Sequence, residues 1–211
     1  RPGIMDIPAP GAHQCVIGVA IALPDSDAAR VRQVRAAAGD PLAHVIPPHI
    51  TILPPTAVDV GSLEQVSQHL RRVARRTSPF RIRLDEVGTF RPVSPVVYLD
   101  LSRGAPECDR LQGRVRDEAG PLARPLSFPF HPHVTLAHEI ADDHLDVAAA
   151  AGAELDVDFT AARLHLYRLR PEGVWEVAES FVFGRASASQ AASDPVGAAD
   201  SGEPAAPALP G

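Results

Sequence analysis

One five-residue pattern occurs twice, at matching places in a chain that itself reads twice in the same order. Pro48-His49-Ile50-Thr51-Ile52 and Pro132-His133-Val134-Thr135-Leu136 are both Pro-His-aliphatic-Thr-aliphatic, 84 residues apart (133 − 49). Around the first copy, Cys15 to Leu23 is rich in Val and Ile and predicts a buried strand. Asp25 to Ala38 predicts a helix capped by Asp25 or Ser26 and stopped by Gly39. His49 to Leu53 is a short strand between Pro47-Pro48 and Pro54-Pro55, Ser62 to Arg76 a helix with Leu63, Val66, Leu70 and Val73 on one face, and Phe80 to Val87 a strand. The order then restarts. Val96 to Leu101 is a strand, Pro106 to Ala119 a helix, His133 to Leu136 a short strand, and Asp142 to Ala151 a helix capped by Asp142. Leu155 to Leu169 and Val174 to Phe183 predict a closing hairpin that turns at Pro171-Glu172-Gly173. Two copies of a long unit do not make a solenoid. The expected fold is α+β and bilobal, built from duplicated β-α-β-α-β units with two mainly antiparallel sheets flanking a central cleft.

The 211 residues suit one compact domain. Residues 13–184 are expected to form that single bilobal domain, after a flexible segment at 1–12 that contains Pro2, Pro8 and Pro10. Residues 185–211 are mostly Ala, Ser, Pro and Gly with a few acids and no aromatic residue; too little apolar area is available there to offset ordering, which predicts a disordered tail. Gln14 to Leu23 is apolar but too short to span a bilayer, and it lacks the flanks of a signal peptide. Cys15 and Cys108 make no disulfide framework and no Cys-x-x-Cys, so two buried thiols and a cytoplasmic location are expected. A net charge of -6 argues against coating nucleic acid by charge alone, though not against recognition of a short end or a nucleotide. The sequence contains no Lys, which excludes Schiff-base and Walker-type lysine chemistry. It leaves Arg, whose planar fork suits phosphate.

The repeated motif has a chemical logic. Along a strand, residues i and i+2 share a face, so each His stands beside its Thr, roughly 6 to 7 Å apart at the backbone. The aliphatic residues between them point the other way and anchor the strand. With nine His and six Thr, one accidental His-x-Thr is unremarkable. Two, both flanked by Pro and aliphatics and both at matching places of a repeat, are not. Two such pairs facing one cleft put an imidazole on each side of a phosphorus, one to take a proton from water and one to give a proton to the leaving oxygen. Thr hydroxyls steady the non-bridging oxygens. No metal and no cofactor is needed.

On these residues the chain resembles the two-histidine (2H) phosphoesterase superfamily, which contains the 2'-5' RNA ligase-like proteins and the RNA 2',3'-cyclic phosphodiesterases. The resemblance runs from about Cys15 to Phe183. It implies His49 and His133 as catalytic residues, with Thr51 and Thr135 contacting substrate. It also implies places near the cleft for Phe90 and Arg91, because Gly88-Thr89-Phe90-Arg91-Pro92 resembles the segment before the second lobe. Ile52-Leu53-Pro54-Pro55 follows Thr51 where many RNA ligase-like members carry an aromatic residue and a Gly. The implied activity is hydrolysis of a 2',3'-cyclic phosphate on an RNA end or a small nucleotide, reversible as 2'-5' ligation, by a monomer that needs no membrane. The other reading is a nucleotide- or RNA-binding protein that keeps the motif without turnover.

Neighbouring residues carry two readings each. His131 flanks the cleft or hydrogen-bonds a loop; with His133, His138 and Asp142 or Asp143 it also has metal-ligand spacing, a reading that ignores the matching motif at His49. Phe128 and Phe130 are placed to stack on a base or to pack. Arg71, Arg72, Arg75, Arg76, Arg81 and Arg83 form a solvated basic face or an electrostatic guide for an RNA end.

Overall fold

A computed structural model describes residues 7–45 and 47–184. The expected tail at 185–211 and the first six residues of the expected flexible segment lie outside these; residues 7–11 have no regular secondary structure. In chain order the elements are β1 (Gln14–Ala22), α1 (Asp25–Ala37), β2 (His49–Asp59), α2 (Leu63–Arg75), β3 (Phe80–Thr89), β4 (Val96–Arg103), α3 (Ala105–Val115), β5 (His133–His138), α4 (Asp142–Gly152), β6 (Val157–Ala161), β7 (Arg163–Leu169) and β8 (Trp175–Val182). Two four-stranded sheets form, ordered β2-β1-β7-β8 and β5-β4-β3-β6. The architecture is the α+β arrangement that the repeat predicts. Among the described residues no helix is long and apolar enough to cross a membrane.

The two units are not self-contained. β3 ends the first unit in sequence but pairs with β4 and β6 in the second sheet. The expected strand over 155–169 breaks at Ala162: β6 stays in the second sheet while β7 pairs with β1 in the first and with β8 in the closing hairpin. Helices are exchanged as well. α1 packs against β5 and α4, and α3 packs against β2 and α2. Both sheets therefore share one continuous core in which Ile17, Ile50, Leu70, Leu84, Leu99, Leu111 and Leu136 are all essentially inaccessible. Each such side chain contributes roughly 1.5–3 kcal/mol by leaving water. This shared core holds the two motif strands in a set relation.

Three local expectations differ from the structure. β2 runs on through Pro54 and Pro55 to Asp59. It is an edge strand, so one row of its backbone donors has no partner strand to miss, and proline is tolerated there. α1 and α4 have no side-chain cap; their N-caps are Pro24 and Ala141, and the acidic residues sit inside the first turn, where they complement the helix dipole. α3 stops at Val115 because a turn takes over, with Asp117 accepting the Ala119 and Gly120 amides through its side chain and its carbonyl. Cys15 and Cys108 are free and buried, and burial pushes the Cys108 thiol up to about 12.

Candidate active site

Both motif strands begin at the histidine. Pro48 and Pro132 keep the preceding residue out of helical backbone and offer no N–H of their own. The carbonyl two residues before each His is left beside its ring. His49 Nδ1–H donates to the Pro47 carbonyl at 2.9 Å, and His133 Nδ1–H donates to the His131 carbonyl at 2.6 Å. A carbonyl only accepts, so both rings hold their proton at Nδ1 when neutral and leave Nε2 available. The same device sits at both copies of the motif.

The strands pack against each other across the molecule, and a charge on His49 bears directly on His133. Ile50 and Ile52 on one strand, and Val134 and Leu136 on the other, are buried in the core; His49, Thr51, His133 and Thr135 on the opposite faces are half-buried. Neither Thr51 nor Thr135 has a hydrogen-bond partner for its hydroxyl among the described residues. Both pairs are thus oriented away from the core, with the two Thr hydroxyls and the two Nε2 atoms uncommitted among the described residues.

Surroundings of the two imidazoles differ. Phe90 and Tyr98 pack edge-on or tilted against His133, with ring centroids 5.1 and 5.2 Å away, and both also touch His131. Tyr98 lies in β4 directly across from Thr135, and on its other side it faces Gly88 of β3. A Cβ on Gly88 would stand 2.5 Å from the Tyr98 ring, so glycine is what lets that ring lie over β3. Tyr98 escaped the sequence reading; a lone Gly inside an alternating strand was the available signal. Near His49 the neighbour is instead a charge. Arg35 of α1 is buried and forks onto Asp40 at 2.8 and 3.0 Å, and its charge reaches His49.

Both histidines are weakened as bases. For His49 burial lowers the pKa, the Pro47 hydrogen bond opposes this, and Arg35 lowers it further. His133 is pushed down to about 4, chiefly by burial, against the His131 hydrogen bond, with further lowering from the charges of His131 and His49 and a raising pull from Asp100. Both rings are neutral near pH 7 in the empty cleft. Folded His133 therefore binds fewer protons than unfolded His133 between about 4 and the ordinary value of 6.5. Its contribution to stability is complete above that ordinary value and is lost as pH falls through the folded one. In urea denaturation between pH 7 and pH 4, His133→Gln should lose stability less steeply than wild type. Equal slopes would contradict the burial of this ring.

The remaining candidates scatter. His131 Nε2 lies 3.2 Å from Asp100 Oδ1, so its side chain flanks the cleft while its carbonyl orients His133. Arg91 turns towards α4, with its guanidinium 3.0 Å from Asp146 and 3.7 Å from Asp142, while its neighbour Phe90 packs at the histidines. Phe130 packs on the core, and Phe128 is 63% exposed. Among the described residues no group of three or more His, Cys, Asp or Glu is arranged to hold a metal ion. The basic run divides. Arg71, Arg81 and Arg83 pair with Glu179, Asp158 and Asp156, whereas Arg72 and Arg76 join Arg114 along a separate cavity of about 320 Å³.

Residues 23–172 match the family model described as the 2'-5' RNA ligase superfamily. The chain belongs to that superfamily, the two-histidine phosphoesterases. A Bacillus cytotoxicus protein named "Putative phosphoesterase" is 32% identical over 151 residues, covering 70% of this chain and 86% of its own. A Bacillus pumilus protein of the same name is 32% identical over 147 residues, covering 69% and 84%. Among solved structures, E. coli LigT in its apo form superposes with a TM-score of 0.62 at 19% identity, covering 82% of this chain and all of LigT. LigT complexed with 3'-AMP gives 0.57 at 19% identity over 82% of this chain and 99% of LigT, and a Thermus thermophilus protein gives 0.60 at 23% identity over 81% and 100%. At these identities the solved structures speak for the fold, which this superfamily member shares.

Proposed function

We propose that this phosphoesterase opens 2',3'-cyclic phosphates of RNA ends or small nucleotides, with His49 and His133 as acid and base and Thr51 and Thr135 holding the non-bridging oxygens. The matched Nδ1 anchoring of both imidazoles carries this reading, since two free Nε2 atoms are what in-line proton transfer needs. One Nε2 accepts a proton from water as its oxygen attacks phosphorus. The other donates a proton to the ribose oxygen whose P–O bond breaks, leaving a phosphomonoester. The depressed basicity of both rings has a use here. A phosphodiester anion entering between them favours protonation of one ring, and the other, feeling that new charge, stays neutral. Substrate thereby creates the acid–base pair. Run backwards, the same steps join a 2'-hydroxyl to a cyclic phosphate. The complex of LigT with 3'-AMP is in keeping with a nucleotide as ligand.

The purified protein incubated with a nucleoside 2',3'-cyclic phosphate in excess chelator tests this. Turnover to a monophosphate is the expected result. Binding without turnover would leave a nucleotide-binding protein. Turnover abolished by chelator and restored by zinc would move the chemistry to a metal beside His131 and His133.

A further inference from the structure

The two sheets present their motif strands in the same way but differ one strand further in. Across from Thr135 stands Tyr98, whose ring, with that of Phe90, fills the space beside His133. Across from Thr51 stands Ala20, and among the described residues no aromatic ring packs on His49. The next strand, β7, places His165 opposite Ala20 and Tyr167 opposite Gly18. Thr51, Ala20 and His165 therefore form one cross-strand row on one face of the first sheet. β8 extends the row with Ser180.

His165 is anchored through the same ring nitrogen as the two motif histidines, here to a side-chain hydroxyl instead of a carbonyl. Its Nδ1 and the Ser180 hydroxyl are 2.7 Å apart, and its Nε2 has no partner among the described residues. The buried Tyr167 ring lies 6.0 Å from it, centroid to centroid, and its hydroxyl likewise has no partner among the described residues. His165 and Tyr167 thus present two uncommitted polar heads beside the packed cluster of Val16, Ala20 and Trp175. Two interstrand spacings separate them from Thr51, roughly 10 Å. Nothing in the acid–base chemistry uses either residue.

We propose that His165 and Tyr167 form the recognition subsite for the nucleoside attached to the scissile phosphate, so that substrate runs from the histidine pair across the first sheet. A nucleoside there meets two hydrogen-bonding groups, the His165 Nε2 and the Tyr167 hydroxyl. The inference rests on the cyclic phosphodiesterase reading and adds the side on which the nucleoside lies.

The test compares two substrates that share the same five-membered cyclic phosphate, adenosine 2',3'-cyclic phosphate and glycerol 1,2-cyclic phosphate. Wild type should prefer the nucleoside. In His165→Ala and Tyr167→Phe the ratio of kcat/KM between the two should fall about tenfold, the scale of one or two lost hydrogen bonds, mainly through KM for the nucleoside. Tyr167→Phe keeps the ring and guards against misfolding. A ratio within twofold of wild type in both folded variants would overturn the subsite. If wild type turns over neither substrate, the phosphodiesterase reading is what fails. Calorimetry with adenosine 3'-monophosphate against inorganic phosphate then decides the subsite by the same ratio, now of affinities.

Discussion

Replacing His49 or His133 by Ala should each lower kcat on a 2',3'-cyclic nucleotide by at least ~100-fold, the lower scale for losing a positioned acid or base. In the proposed mechanism the two rings serve one phosphorus, so the double variant should lose far less than the product of the single effects. Thr51→Ala and Thr135→Ala should cost less, because water can stand in for a hydroxyl that has no partner among the described residues. The pH–rate profile should be bell-shaped, and deleting one ring should flatten one limb, which tells acid from base. Steady-state kinetics from pH 4 to 9 reads all of this. An unchanged rate in either single variant would end the two-histidine mechanism for this chain.

Arg35→Ala should lower unfolding stability by about 3–5 kcal/mol, the usual scale for stranding one partner of a buried ion pair. The Asp40 side chain is wholly inaccessible and the Arg35 side chain only 4% exposed, so neither water nor a neighbour replaces the lost guanidinium. Asp40 also accepts the Leu42 amide, which ties the chain after α1 to the same pair. The variant should change the site as well. Arg35 lowers the His49 pKa, so its removal raises it, and the acid limb of kcat/KM should move to higher pH if His49 is the base. Guanidinium denaturation and a pH profile measure the two effects. A stability change under about 1 kcal/mol would mean that Asp40 is rehydrated or protonated, and the pair would lose its structural role.

The parts legible in the sequence are those whose pattern is local. The alternation of His, aliphatic, Thr, aliphatic placed His49 with Thr51 and His133 with Thr135, and their half-buried positions beside buried Ile50, Ile52, Val134 and Leu136 follow from period two. The helices are also local, with α1 and α2 found within a residue or so of their expected ends. The prolines after Thr51 misled, because whether a strand tolerates them depends on lying at an edge, which is a property of the sheet. The partners of Phe130 and Arg91 illustrate the same limit: Phe130 packs on the core and Arg91 pairs with Asp146 of α4, contacts that no local pattern contains.

What the chain determined on its own is the inventory: two motif histidines, two motif threonines, one duplicated scaffold and no lysine. Tertiary structure alone decided the company these groups keep. Tyr98 reaches His133 through the β4–β5 register and the missing Cβ of Gly88, Arg35 reaches His49 from α1, and His165 joins the Thr51 row from β7, more than a hundred residues downstream. The exchange of β3, β7 and β8 between the sheets makes the Gly88 and His165 meetings possible. Those depend on which strands pair and in what register, the Arg35 meeting on how α1 packs, and the whole core settles both at once, through burial that no short stretch of sequence contains.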